Sequence, residues 1–123
     1  MKKVLVIDDE EVNRKLMRES MEAAKFIVIE AEDGSDGIYL AKKEGPDVIL
    51  LDLAMPDVDG IETCKRLKEL EKTKDIPVIM LSAMNDKKLI DLALKQGAAD
   101  YFVKPLRTST LLNKINDLWK NKD

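Results

Sequence analysis

Two hydrophobic rhythms alternate along this chain from end to end. Val4–Ile7 is an unbroken apolar run that stops at the acidic Asp8, Asp9 and Glu10. From Glu11 to Lys25, Val12, Leu16, Met17, Met21 and Ala24 recur at helical intervals, which predicts an amphipathic helix with Val12 and Leu16 on its inward stripe. Phe26–Ile29 is β-branched and aromatic and reads as a strand. Ser35 to Glu44 follows as a helix, opened by Asp33–Gly34 and closed by Gly45–Pro46. Val48–Leu51 is again continuously apolar and ends at Asp52. Ile61 to Leu70 carries Ile61, Cys64, Leu67 and Leu70 on one side. Ile76–Leu81 is an apolar strand with Pro77 at its start, where a missing N–H is tolerated. Asp86 to Gln96 is a helix stopped by Gly97. Tyr101–Val103 is a short strand ending at Lys104–Pro105, and Thr108 to Lys120 is a last helix with Leu111, Leu112, Ile115, Leu118 and Trp119 facing inward.

Five strands and five helices therefore alternate strictly. Strands that lack a polar face are covered on both sides, which implies a parallel sheet. Short connections with right-handed crossovers then give a doubly wound α/β fold, a three-layer (βα)5 sandwich. No linker, repeat or low-complexity stretch divides the chain, so one domain over residues 1–123, with no output domain, is expected.

Composition narrows the chemistry. With 21 basic and 24 acidic residues the net charge is −3, which argues against a nucleic-acid-binding surface. Lys42–Lys43 and Lys87–Lys88 are too short to change that and read as solvated helix surface. Cys64 is the sole cysteine, so no internal disulfide can form, and its place in line with Ile61 and Leu67 suits a small core residue. No apolar run approaches a membrane span, and acidic residues follow Ile7 too soon for a signal-peptide core. A reducing cytoplasm is the expected setting, with no membrane partner. Histidine is absent, which removes serine–histidine catalysis and histidine metal sites.

In an open parallel sheet, ligands bind at the carboxyl ends of the strands. The first strand ends in Asp8 and Asp9, the third in Asp52, the fourth in Ser82 and the fifth in Lys104. Taken singly, an aspartate after a strand is as well explained as a turn or helix cap, Ser82 as a loop hydroxyl and Lys104 as a surface lysine. Taken jointly they suit one reaction. Clustered carboxylates repel unless a hard cation joins them, and magnesium favours a few carboxylates plus water and phosphate oxygens. An aspartate can attack a phosphoryl donor to form an acyl phosphate, with a hydroxyl and an ammonium to receive the phosphoryl oxygens.

Four runs carry a more specific signal: VLVIDDE at Val4–Glu10, DVILLDLAMPDVDG at Asp47–Gly60, PVIMLSA at Pro77–Ala83 and GAADYFVKP at Gly97–Pro105. In order and spacing, across nearly the whole chain, they resemble the signature blocks of two-component response-regulator receiver domains, the single-domain chemotaxis regulators included. That resemblance implies a flavodoxin-like sheet of strand order 2-1-3-4-5. It implies Asp52 as phosphoacceptor, and Asp8, Asp9, Asp52 and the Ala54 backbone carbonyl as ligands of Mg2+, with Mn2+ tolerated. Ser82 and Lys104 would hold the phosphoryl oxygens, Tyr101 would be the aromatic switch residue, and the Lys104–Pro105 bond would be cis. The partners implied are a sensor histidine kinase and an unidentified downstream protein, which the phosphorylated chain would either bind or pass its phosphoryl group on to in a relay, and the chain is expected to be a monomer. Its kinase would dock on the stripe Asn13, Met17 and Ser20 of the first helix, with Pro105 and Met55 nearby and Met17 exposed. The chain would be a phosphoacceptor switch rather than an enzyme.

Two other classes are weighed against this. A magnesium-dependent aspartyl-phosphate phosphatase usually has an acid–base aspartate two residues beyond its nucleophile, and Ala54 lacks that group. A flavodoxin-like cofactor carrier wants a hydroxyl- and glycine-rich phosphate loop after the first strand, where Asp8–Asp9–Glu10 stands instead. Two further positions, Ala54 and Met84, are apolar, and relatives that hydrolyse their phosphate quickly often carry polar groups there.

Overall fold

In a strand, successive side chains point to opposite faces, and here both faces are apolar. Val4 and Val6 of β1 (Lys3–Ile7) and Val48 and Leu50 of β3 (Val48–Asp52) enter one core, together with Ile79 and Leu81 of β4 (Val78–Ser82). Leu5, Ile7, Ile49, Leu51, Val78 and Met80 enter the other. The first core is covered by α1 (Glu11–Ala23) and α5 (Thr108–Lys120) through Met21, Leu111 and Ile115. The second is covered by α2 (Gly34–Glu44), α3 (Gly60–Glu69) and α4 (Lys87–Lys95) through Ala41, Cys64, Leu67 and Ala93. Truncating a fully buried leucine such as Leu5 or Leu51 to alanine would cost about 2–5 kcal/mol. The computed structural model describes residues 2–53 and 59–120.

With β2 (Ile27–Ala31) and β5 (Asp100–Val103), the described strands form one parallel sheet of order β2-β1-β3-β4-β5. The expected doubly wound α/β architecture is borne out. Winding reverses between β1 and β3, so the crevice for a ligand lies over their carboxyl ends. Local chemistry sets several boundaries. Asp33, Asp59 and Asp86 cap α2, α3 and α4 by accepting from the N–H of Asp36, Glu62 and Lys88. Gly45 ends α2 with φ +55°, a conformation that favours glycine.

The inward stripe of α1 departs from the sequence expectation. Val12 and Leu16 are 68% and 58% exposed, while Met21 is fully buried and Met17 and Ala24 pack partly against the core. At about 100° per residue, Val12 and Leu16 point roughly 180° and 140° away from Met21, so their stripe is the outer face and the inward face runs through Met17, Met21 and Ala24. At the opposite pole Trp119 closes the base of the sheet. Its indole N–H points at the Asp47 carbonyl (3.4 Å), its ring lies 5.7 Å from that of Phe26, and the Lys2 ammonium sits 4.9 Å from the ring centroid.

Candidate functional site

Parallel pairing gathers the strand ends onto one rim. Asp52 is in register with Leu81, and Ser82 with Val103, so β3, β4 and β5 deliver Asp52, Ser82 and Lys104 side by side. The β1–α1 loop brings Asp8 and Asp9 to the same place. Carboxylate oxygens of Asp8, Asp9 and Asp52 lie within 4.8 Å of one another. Asp8 is buried, Asp52 half-buried and Asp9 exposed, so the cluster is open to water on one side.

Each member has its own support. The Asp8 carboxylate accepts from the Glu10 N–H (3.0 Å), and Lys104 Nζ lies 3.5 Å from its other oxygen. Ser82 is 2% exposed, and its Oγ accepts from the Met84 N–H at 3.1 Å, which leaves the hydroxyl proton to donate. Tyr101 is buried, and its hydroxyl donates to the Met84 carbonyl at 2.7 Å, tying β5 to the segment after β4. The Lys104–Pro105 peptide is cis, as the resemblance implied. The donor set fits a magnesium ion: three hard oxygen ligands that would otherwise repel, with room for water and phosphate oxygens on the open side.

A cavity of about 530 Å³ runs beside the cluster, lined by Asn13, Leu16, Met17 and Ser20 of α1 and by Pro105, Leu106, Arg107 and Thr108 on the other side. Asp8, Asp52 and Lys104 line it too, so the expected docking residues Asn13, Met17, Ser20 and Pro105 share one groove with the acidic cluster. Met17 is half-buried rather than exposed, and Leu16, expected in the core, borders the groove. Ala54 and Met55 lie outside the described residues. Cys64 is a core residue, its Sγ 3.7 Å from the Gln96 carbonyl.

One contributor escaped the sequence reading. Gly60 donates its N–H to the Leu53 carbonyl at 2.6 Å, and a Cβ there would stand 2.5 Å from the Asp52 carbonyl oxygen and 2.5 Å from Leu53 Cα. Helix α3 therefore starts hard against the backbone that presents Asp52. Its only sequence signal is the aspartate–glycine pair that closes the Asp47–Gly60 run, which reads equally well as a turn.

Comparison with known proteins decides the family. The response regulator receiver domain model matches residues 4–116. The chain belongs to that family. It is 34% identical to protein PilH of Pseudomonas aeruginosa, over 94% of this chain and 96% of PilH. It superposes on the receiver domain of the Francisella response regulator 1452 with TM-score 0.90 and 32% identity, covering 100% of both chains. A Borrelia burgdorferi structure described as a CheX–CheY–BeF3–Mg2+ complex gives TM-score 0.88 at 29% identity, covering 96% of this chain and 89% of that one. Two transcriptional regulators 37% identical to this receiver are about twice as long, and it spans 49% and 51% of their lengths. No described helix of this receiver is long and apolar enough to cross a membrane.

Proposed function

We propose that Asp52 accepts a phosphoryl group from a phosphohistidine on a sensor histidine kinase and that the aspartyl phosphate switches binding to a downstream protein. The observation that carries this reading is the convergence of three carboxylates within 4.8 Å with Lys104 at 3.5 Å from Asp8, at the rim where the sheet reverses its winding. A carboxylate oxygen of Asp52 attacks phosphorus, the P–N bond breaks, and its electron pair stays on the imidazole nitrogen. Asp8, Asp9 and Asp52, with the Ala54 carbonyl as a further ligand by resemblance, would hold a magnesium ion, which would supply positive charge to offset that of the phosphoryl oxygens. Ser82 donates its hydroxyl proton to one such oxygen, and Lys104 leaves Asp8 to pair with another. Tyr101, bonded to the Met84 carbonyl, carries the resulting shift of that segment to β5. The Borrelia complex, which by its description holds Mg2+ and BeF3, supports this placement by similarity.

Acetyl phosphate or beryllofluoride, supplied with and without magnesium, tests the assignment. Labelling should require the metal and vanish in Asp52→Asn; labelling that ignores EDTA or survives that substitution refutes it. We place the kinase in the groove beside Asn13, Met17, Ser20 and Pro105, with Met55 a further contact by resemblance. Asn13→Glu with Met17→Arg should then cut transfer from the kinase and spare labelling by acetyl phosphate. Equal loss of both would count against docking there.

A further inference from the structure

Asp9 is the least supported of the clustered carboxylates. It is exposed, and among the described residues its carboxylate has no hydrogen-bond partner, whereas Asp8 is held by the Glu10 N–H and by Lys104. Its direction is therefore set through its backbone. The peptide that joins Asp8 to Asp9 is planar, so whatever fixes the Asp8 carbonyl also fixes the N–H and Cα of Asp9. That carbonyl lies beyond the last β1–β3 ladder pair, Ile7 with Leu51, and it is caught by a side chain: Arg14 Nη1 donates to it at 2.8 Å.

Arg14 is itself held. Its Nε lies 3.3 Å from Glu30 Oε1 on β2, and its side chain is 14% exposed. Arg18 Nε stands 2.7 Å from the other Glu30 oxygen, a pairing of charges without hydrogen-bond alignment. A guanidinium presents its donors in one rigid plane, so engaging Nε on Glu30 dictates where Nη1 points. The edge strand, the first helix and the acidic loop are thereby joined through one side chain. Because Glu30 offsets its charge, Arg14 adds little net positive field at a cation site nearby.

We propose that Arg14 is a positioning residue for the metal: by holding the Asp8–Asp9 peptide it aims Asp9 and sets magnesium affinity, with Glu30 acting only through Arg14. This rests on the magnesium reading above. Outer partners that orient metal ligands typically change affinity by about 10- to 100-fold when removed. Loss of a positive charge alone would act in the opposite direction and tighten binding.

The test is calorimetric titration of the full, unphosphorylated chain with magnesium chloride, for the parent, Arg14→Met, Arg14→Lys, Glu30→Gln and Arg14→Met with Glu30→Gln. Urea midpoints and the Asp9 amide resonance in metal-free protein are recorded alongside. Arg14→Met should weaken binding about tenfold or more. Arg14→Lys should weaken it too, although the charge is kept, because one ammonium cannot span both partners. The Asp9 amide should shift in each, and Glu30→Gln should add nothing in the Arg14→Met background. Arg14→Lys decides the matter if Arg14→Met does not fold. Parent-like or tighter binding in the Arg14 variants overturns the proposal, as does a further loss from Glu30→Gln in the double variant. A parent that binds no magnesium removes the magnesium reading and this one together, whereas a parent that binds and labels normally beside indifferent Arg14 variants removes this one alone.

Discussion

Replacing Gly60 with alanine should separate folding from phosphoryl transfer. The new Cβ would stand 2.5 Å from the Asp52 carbonyl oxygen, 2.5 Å from Leu53 Cα and 2.9 Å from the Leu53 carbonyl oxygen. Comfortable carbon contacts are about 3.5–4.0 Å, so α3 and the Asp52–Leu53 backbone must part by about 1 Å. All three obstacles are main chain, and no rotamer change relieves them. The Gly60 N–H to Leu53 carbonyl bond, 2.6 Å long, stretches with them. Overpacking of this kind costs about 1–3 kcal/mol, below the 5–15 kcal/mol typical of a domain's stability, so Gly60→Ala should still fold. A displacement of about 1 Å at the attacking group costs on the order of a hundredfold in rate. Initial rates of labelling by acetyl phosphate in saturating magnesium, set beside thermal melting, test this. Gly45→Ala is the control: it strains a φ of +55° with nothing within 4 Å of the new Cβ, so it should lower the melting temperature and leave labelling alone. Parent-like labelling in Gly60→Ala at a parent-like melting temperature would refute the steric argument.

Removing Lys104 deletes a cation 3.5 Å from Asp8, so Lys104→Ala should tighten magnesium binding several-fold while slowing phosphorylation; calorimetry that shows weaker binding would contradict this competition. Burial pushes the Cys64 thiol above its ordinary range, against a smaller opposing pull from Lys68. The neutral thiol therefore contributes stability that is complete below the unfolded value of about 8.5 and is lost as pH rises through the folded value. Urea midpoints should fall above that pH in the parent and fall less in Cys64→Ala. Met84 is 43% exposed beside Ser82 and Tyr101, and with Ala54 it offers no side-chain hydrogen bond to an attacking water. The aspartyl phosphate should accordingly last many minutes in magnesium, and Met84→Glu with Ala54→Asn should speed its decay about ten- to a hundredfold; decay of the parent within seconds would refute this.

How legible the fold and the site were depended on how far each feature rests on neighbours in sequence. The strand runs were readable because a sheet covered on both faces needs consecutive apolar residues, and nothing else in the chain supplies them. Their ends were less so. β2 runs on to Ala31 rather than Ile29, because its register with β1 pairs Ile7 with Ala31 and the Asp8 N–H bonds the Ala31 carbonyl. β4 starts at Val78, after Pro77, which has no N–H to give. Asp8, Asp9, Asp52, Ser82 and Lys104 could be named because parallel topology sends every strand's carboxyl end to the same rim. Val12 and Leu16 share a helical stripe with each other, but it lies about 140–180° around α1 from Met21, so their spacing marked a real stripe without saying which side faces the sheet. Gly60 and Arg14 left no local pattern, since what each one touches, the Asp52–Leu53 backbone or the Asp8 carbonyl and Glu30, is fixed by three-dimensional packing.

Trp119 is the single tryptophan, and it stands at the wrong pole of the molecule to sense the rim. Its hydrogen-bond partner Asp47 precedes β3 and Asp52 ends it, a run of strand about 16 Å long at about 3.3 Å per residue. Its indole is bordered by the Asp47 carbonyl, the Phe26 ring and the Lys2 ammonium, groups that belong to the docking of α5 on the sheet. Tryptophan fluorescence of this receiver should therefore report unfolding and stay flat through a magnesium titration. An optical readout of phosphorylation would need a fluorophore placed at the other end of the strands.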